Sequence, residues 1–175
     1  MAKGIVQADL DRVRALLDEV LGHSDYSDVQ RMGGLTNRTY CVTFADGSRI
    51  MVRIPGEGTE ELIDRADEKV STELACRLGI DAKLYFFGDD GEKVSQFVPN
   101  AVTMSAETMR GDKRIRQAAQ LLKTLHSSGV DTGVPFDVFD MAAGYEKIIA
   151  ENSVPMFDDY AQIKAAVMAV KQQID

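Results

Sequence analysis

The 175-residue chain is 45% hydrophobic and 27% charged, with a net charge of −8. That is the composition of an ordinary globular protein of about one domain or two small lobes, and it excludes disordered and collagen-like chains. The acidic balance also excludes a general nucleic-acid binder, which needs a surplus of Lys and Arg, but a local cluster of donors can still hold a nucleotide's phosphates. No apolar run approaches the roughly 18 residues of a membrane span, and the charged opening MAKGIVQADLDRVRALLDEVLG lacks an apolar signal core. A cytoplasmic chain without a membrane partner is therefore expected, with Cys41 and Cys76 as reduced, buried thiols.

Leu10, Val13, Leu16, Leu17, Val20 and Leu21 recur at three- and four-residue steps before Gly22, which predicts a first helix with a glycine stop. A polar connection, His23 to Arg31, leads to Met32-Gly33-Gly34-Leu35-Thr36-Asn37-Arg38. Thr39 to Phe44 reads as a strand, Asp46-Gly47 as a hairpin turn and Arg49 to Ile54 as the returning strand, ended by Pro55-Gly56. In that strand Val52 and Ile54 share one face, Met51 and Arg53 the other. A second helix is predicted from about Thr59 to Leu78, with Leu62, Ala66, Val70, Leu74 and Leu78 as its apolar stripe and Gly79 as its cap. Ala82 to Phe87, Gly88-Asp89-Asp90-Gly91 and Glu92 to Val98 then form a second hairpin.

Beyond the irregular link Pro99-Asn100-Ala101 the pattern turns helical. Asp112 is read as the cap of a helix carrying Ile115, Ala118, Leu122 and Leu125. Val138, Met141, Tyr145, Ile148 and Ile149 mark another helix, and Tyr160, Ile163, Val167, Val170 and Ile174 a last one. Antiparallel hairpins separated by a helix and followed by helices alone predict an α+β fold and disfavour a parallel Rossmann sheet.

The common catalytic signatures are missing: no P-loop, no G-x-G-x-x-G, no G-x-S-x-G, and no zinc-type arrangement of His and Cys. Four features remain. Glycines in Gly33-Gly34-Leu35-Thr36-Asn37-Arg38 let backbone approach a ligand, although a Gly-Gly before a strand is also simply a turn. Arg53 offers a cationic fork suited to phosphate, against the plainer reading of a solvated strand end. On the second helix, Glu68 lies at the margin of the apolar stripe and Glu73 nearer its centre, so periodicity does not choose between them. Ser95-Gln96-Phe97-Val98-Pro99 joins the hairpin to the helices, where backbone groups can read an adenine edge.

In this order the features resemble the amino-terminal lobe of the protein-kinase-like fold. More narrowly, the chain resembles the choline/ethanolamine kinase branch of the aminoglycoside-phosphotransferase-like superfamily, bacterial choline kinases above all. The resemblance rests on Gly33 to Tyr40, Val52 to Gly56, Ile63-Asp64-Arg65 through Glu68, Leu78 to Ala82, and Leu121 to Ser128, within roughly residues 10–150. It implies an antiparallel sheet plus helix over residues 1–98, a hinge at 99–103, and the first helices of an incomplete helical lobe over 104–175. It implies ATP as the nucleotide, with Gly33, Gly34, Leu35, Thr36, Asn37 and Arg38 in the loop over its phosphates. Arg53 stands where the family contacts those phosphates, Glu68 as its ion-pair partner in preference to Glu73, and Gln96, Phe97 and Val98 as the adenine hinge. His126 falls at a helix end with an expected structural, hydrogen-bonded role.

The departure from the pattern is equally informative. Kinase chemistry uses a catalytic-loop Asp, an Asn and a second Asp for magnesium. The only His-x-Asp, His23-Ser24-Asp25, precedes the glycines and has Gln30 where an Asn is required, while Asp158-Asp159 reads as a solvated helix start. No catalytic or metal residue is therefore assigned, and Mg2+ is expected only with the remainder of the helical lobe. The expectation is the nucleotide-binding part of a phosphotransferase for choline or a similar amino alcohol, inactive alone. The competing readings are a non-enzymatic lobe that dimerises through Val167, Val170 and Ile174, and a relative that phosphorylates aminoglycosides or other small alcohols.

Overall fold

Alternation in the strand around Arg53 decides the architecture, because it gives one sheet two different faces. The computed structural model describes residues 5–34, 36–59 and 63–174, Ile174 by its backbone alone. Leu35 and Leu62 thus lie outside the described residues. Two compact units are present, Met1–Val134 and Pro135–Asp175.

The first unit opens with α1 (Gln7–Leu21), which ends where the Gly22 N–H bonds to the Asp18 carbonyl, as the glycine stop predicted. It continues with β1 (Tyr26–Gly33), β2 (Asn37–Phe44), β3 (Arg49–Pro55), α2 (Arg65–Arg77), β4 (Leu84–Phe87) and β5 (Lys93–Gln96). A short 3-10 turn at Thr108–Arg110 and α3 (Asp112–His126) complete it. The five strands form one antiparallel sheet in the order β1-β2-β3-β5-β4. The α+β class and both hairpins match the expectation.

One face of this sheet is closed by α1. Val13, Leu16 and Leu17 of the helix pack with Val29, Tyr40, Val42, Ile50, Val52, Ile54 and Val94 in a single apolar core. Apolar burial of this kind contributes about 25 cal/mol per Å² and is the main stabilising term of the unit. The core holds a polar group at its edge: the buried carboxylate of Asp9 accepts from Arg38 Nε at 2.8 Å and from the Tyr40 hydroxyl. Burial, and then the bond to Asp9, push the Tyr40 phenol up to about 12.

Several expectations are corrected. The connection read from His23 to Arg31 is mostly strand: β1 pairs along β2 from Tyr26 opposite Phe44 to Gly33 opposite Thr39. It is an edge strand that buries only Val29, so its sequence lacks a hydrophobic alternation. The second helix starts at Arg65 rather than near Thr59, because the Asp64 carboxylate caps it by accepting from the N–H groups of Ala66 and Asp67. Its expected stripe does not form a core, since Val70 is exposed and no α2 residue is fully buried. Asp112 is the first residue of α3 and not its cap; Gly111 holds that position without a side-chain bond. His126 ends α3 exposed, and the turn beyond it is tied instead by the Ser128 hydroxyl to the Leu125 carbonyl at 2.7 Å.

The second unit is a helical pair, α4 (Val138–Glu151) and α5 (Tyr160–Ile174). Asp137 caps α4 through the Phe139 and Asp140 N–H groups. Glu146 joins the pair, accepting from the Tyr160 hydroxyl at 2.7 Å and Lys164 Nζ at 2.6 Å. Those donors, Lys164 foremost, hold its carboxyl below the usual range. Asp158 and Asp159 are exposed in the turn before α5, as expected of a solvated start. Cys41 is buried, Cys76 partly so, and both are free thiols.

Candidate functional site

The face of the sheet opposite α1 carries the residues of chemical interest. Strand alternation puts Met51 and Arg53 there, and the register places Thr39 and Lys93 beside Arg53 and Ser95 beside Met51. Together with Met32, Gln96, Phe97, Val98 and Ala101 these residues line a cleft of about 400 Å³. The structure therefore brings together Arg53, Gln96, Phe97 and Val98, which the sequence separates by more than forty positions. Phe97 is further held by the Arg49 guanidinium, 3.9 Å above its ring.

Arg53 is fixed from three sides. One Nη donates to Glu68 on α2, the other donates to the Gly91 carbonyl at 2.7 Å, and the guanidinium lies 5.2 Å from the centre of the Phe87 ring. Glu68 is thus the carboxylate that orients the strand cation, while Glu73 is exposed and lies outside this cleft. Burial works to raise the Glu68 carboxyl, but the guanidiniums of Arg53 and Arg65 outweigh it and hold the group below its ordinary value. Arg53 Nε is buried with no hydrogen-bond partner. A buried, unpaired cationic donor is costly in a structure and fits an anionic ligand.

The glycine-rich turn borders this cleft through Met32. Gly34 has φ +120°, and a Cβ there would meet the Asn37 carbonyl oxygen at 1.8 Å, so only glycine closes the turn. Thr36 lies in the turn with its carbonyl accepting from the Gly56 N–H at 2.9 Å, and its hydroxyl accepts from Asn37 Nδ2 at 3.2 Å. The Arg38 side chain is not brought to the cleft. It shares the parity of Tyr40 and lies on the α1 face, bonded to Asp9. Gly33, Gly34, Thr36 and Asn37 do not themselves line the cleft, which Met32 and Thr39 border on this side.

Residues 29–174 match the family described as Choline/ethanolamine kinase. The chain belongs to the choline/ethanolamine kinase family. The structure of choline kinase LicA from Streptococcus pneumoniae is 25% identical, with a TM-score of 0.79 over 96% of this chain and 57% of its own. A structure of LicA in complex with AMP is 26% identical, with a TM-score of 0.74 over 94% of this chain and 56% of its own. A choline/ethanolamine kinase family protein from Mesorhizobium loti is 26% identical, with a TM-score of 0.73 over 93% of this chain and 53% of its own. No curated protein sequence matches. The chain therefore spans little more than half the length of these structures, and its five-stranded antiparallel sheet with its helices matches the amino-terminal lobe of choline kinase-like kinases.

Within this family frame, sequence reasoning overlooked Arg65, Lys93 and Gly91. Arg65 had a signal, standing three residues before Glu68 on one helical face. Lys93 had none, because it reaches the cleft only through strand pairing with Arg53; there it lies 3.6 Å from Asp81. Among the described residues no cluster of His, Cys, Asp and Glu is arranged to hold a metal ion, and no helix is long and apolar enough to cross a membrane.

Proposed function

We propose that these residues form the nucleotide-binding part of a choline kinase-like phosphotransferase, which transfers phosphate from ATP to choline or a similar small amino alcohol. The observation that carries the reading is Arg53, held by Glu68, on the wall of a cleft that also takes in Gln96, Phe97 and Val98. Glu68 holds the Arg53 fork in place, Arg53 meets the phosphates, and the backbone of Gly33, Gly34, Thr36 and Asn37 covers them. Residues 1–98 make the nucleotide lobe, 99–103 the hinge, and 104–175 the start of the helical lobe. The Asp, Asn and metal Asp of kinase chemistry are not found after the hinge in this sequence. On this reading the 175 residues bind ATP weakly and do not turn it over, and Mg2+ joins only with those further groups. Calorimetry with ATP and adenosine, beside an assay for choline-dependent ADP, tests both halves. ATP binding that exceeds adenosine binding and is lost in Arg53→Met is expected; choline-dependent ADP production overturns the inactive assignment, and equal binding of ATP and adenosine overturns the site.

A second reading, a non-enzymatic module that self-associates, is favoured by one observation: Ile163, Val167 and Val170 of α5 are each about half exposed. Sedimentation that shows a monomer at high concentration removes it. A relative acting on aminoglycosides or other small alcohols shares the same nucleotide lobe, and is separated only by which acceptor stimulates ADP release.

A further inference from the structure

Arg65 carries no assignment in the resemblance beyond its place in a motif, yet its guanidinium sits where three parts of the site meet. Its side chain is only 9% exposed, and its two terminal nitrogens point to different partners. One donates to Glu68 Oε2 at 2.7 Å, and the other donates to the Thr59 hydroxyl at 2.6 Å. The hydroxyl of Thr59, itself buried, donates to the Gly56 carbonyl at 2.7 Å. The Gly56 N–H in turn donates to the carbonyl of Thr36 in the glycine-rich turn at 2.9 Å. On the other side Glu68 accepts from Arg53. An unbroken path of hydrogen bonds thus runs from the turn, through Gly56, Thr59, Arg65 and Glu68, to Arg53.

We propose that Arg65 is a positioning residue that locks the glycine-rich turn and the Arg53–Glu68 pair into one arrangement, so that both ends of the phosphate site are set together. The inference rests on the nucleotide reading above and deepens it. An ordinary ion pair between residues three apart on a helix surface is worth a few tenths of a kcal/mol and ties the helix only to itself. This one is part-buried, and its arginine reaches out of the helix to a separate segment. Arginine suits that, since two nitrogens of its rigid fork serve Glu68 and Thr59 separately, whereas lysine would have to reach both from one nitrogen. The backbone is shaped around it as well. Gly91, at φ +91°, lies so close that a Cβ would be 2.5 Å from Arg65 Cδ, and the same glycine supplies the carbonyl that holds Arg53.

The test compares the 175-residue chain with Arg65→Met, Arg65→Lys and the near-isosteric Thr59→Val. Affinities for ATP and for adenosine are measured by calorimetry, and amide exchange at Gly56 by NMR. The preference for ATP over adenosine should fall about tenfold in Arg65→Met, the effect of losing a charge-assisted hydrogen-bond pair, and less in Thr59→Val. Adenosine affinity should not change, Gly56 should exchange faster in both variants, and Arg65→Lys should recover only part of the preference. An unchanged preference in Thr59→Val, or a loss shared equally by adenosine, overturns the proposal even if Arg65→Met fails to fold. If the parent chain binds ATP no better than adenosine, the nucleotide reading falls first. Gly56 exchange then decides the coupling alone, and rates unchanged by Thr59→Val and Arg65→Met overturn it.

Discussion

The two faces of the sheet are closed by opposite kinds of chemistry. Against α1 the closure is apolar, with Val13, Leu16, Leu17, Val42, Val52 and Val94 fully buried. On the other side α2 is tied to the sheet by charge: no residue of that helix is fully buried, and Glu68 pairs with Arg53 of β3 and with Arg65 of its own helix. A close-packed apolar interface offers no donor to an anion, whereas a charged one holds donors in place for an anion to use. The sheet thus separates the face that supplies stability from the face that carries the candidate site, and single strands serve both through alternation: Val52 and Ile54 on one side, Arg53 between them on the other.

The largest effect should come from the apolar face. Leu16→Ala removes a fully buried side chain from the centre of the core and should cost about 3 kcal/mol, the usual range for such cavities being roughly 2–5. The midpoint of urea unfolding measures it. The molecules that remain folded should keep the wild-type preference for ATP over adenosine. A loss of that preference in step with stability would mean that the two faces are not separate after all.

The same contrast explains what could be read from the sequence. The α1 face was legible because burial writes a period: the steps from Leu10 to Leu21 in α1 and the alternation Ile50, Val52, Ile54 in β3 both survive in the structure. The Asp46-Gly47 turn was legible from local chemistry, the Asp46 carboxylate accepting from the Ser48 N–H at 2.8 Å. Where burial is thin the period vanishes. β1 buries only Val29, so its sequence reads as a connection. In α2 the spacing predicts an apolar stripe, but no residue of the helix is fully buried, and Glu68 ties it to Arg53. Charged contacts leave no periodic trace, so the choice of Glu68 over Glu73 came from resemblance to a family and not from spacing. Arg38 is a similar case. The sequence reads it as part of the loop before a strand at Thr39, and only the pairing of β2 with β3 places it on the face away from Arg53.

The smallest effect, and the sharpest test of the ionic face, is its dependence on pH. Glu68→Gln keeps the shape but removes the charge that faces two guanidiniums, and should cost about 1 kcal/mol at neutral pH, since both partners keep some access to water. The folded chain holds the Glu68 carboxyl below its ordinary value of 4.5. As the pH falls, the unfolded chain therefore takes up this proton before the folded one does. The contribution of Glu68 is complete above that ordinary value and drains away as the pH drops through the lower, folded one. Unfolding midpoints of the parent and Glu68→Gln chains should accordingly differ at pH 7 and converge in acid. Leu16→Ala should keep its deficit across the same range, because apolar burial takes up no proton. A Glu68→Gln deficit that persists undiminished in acid would show that the carboxylate acts by its packing and not by its charge, and the α2 face would then differ from the α1 face in degree only.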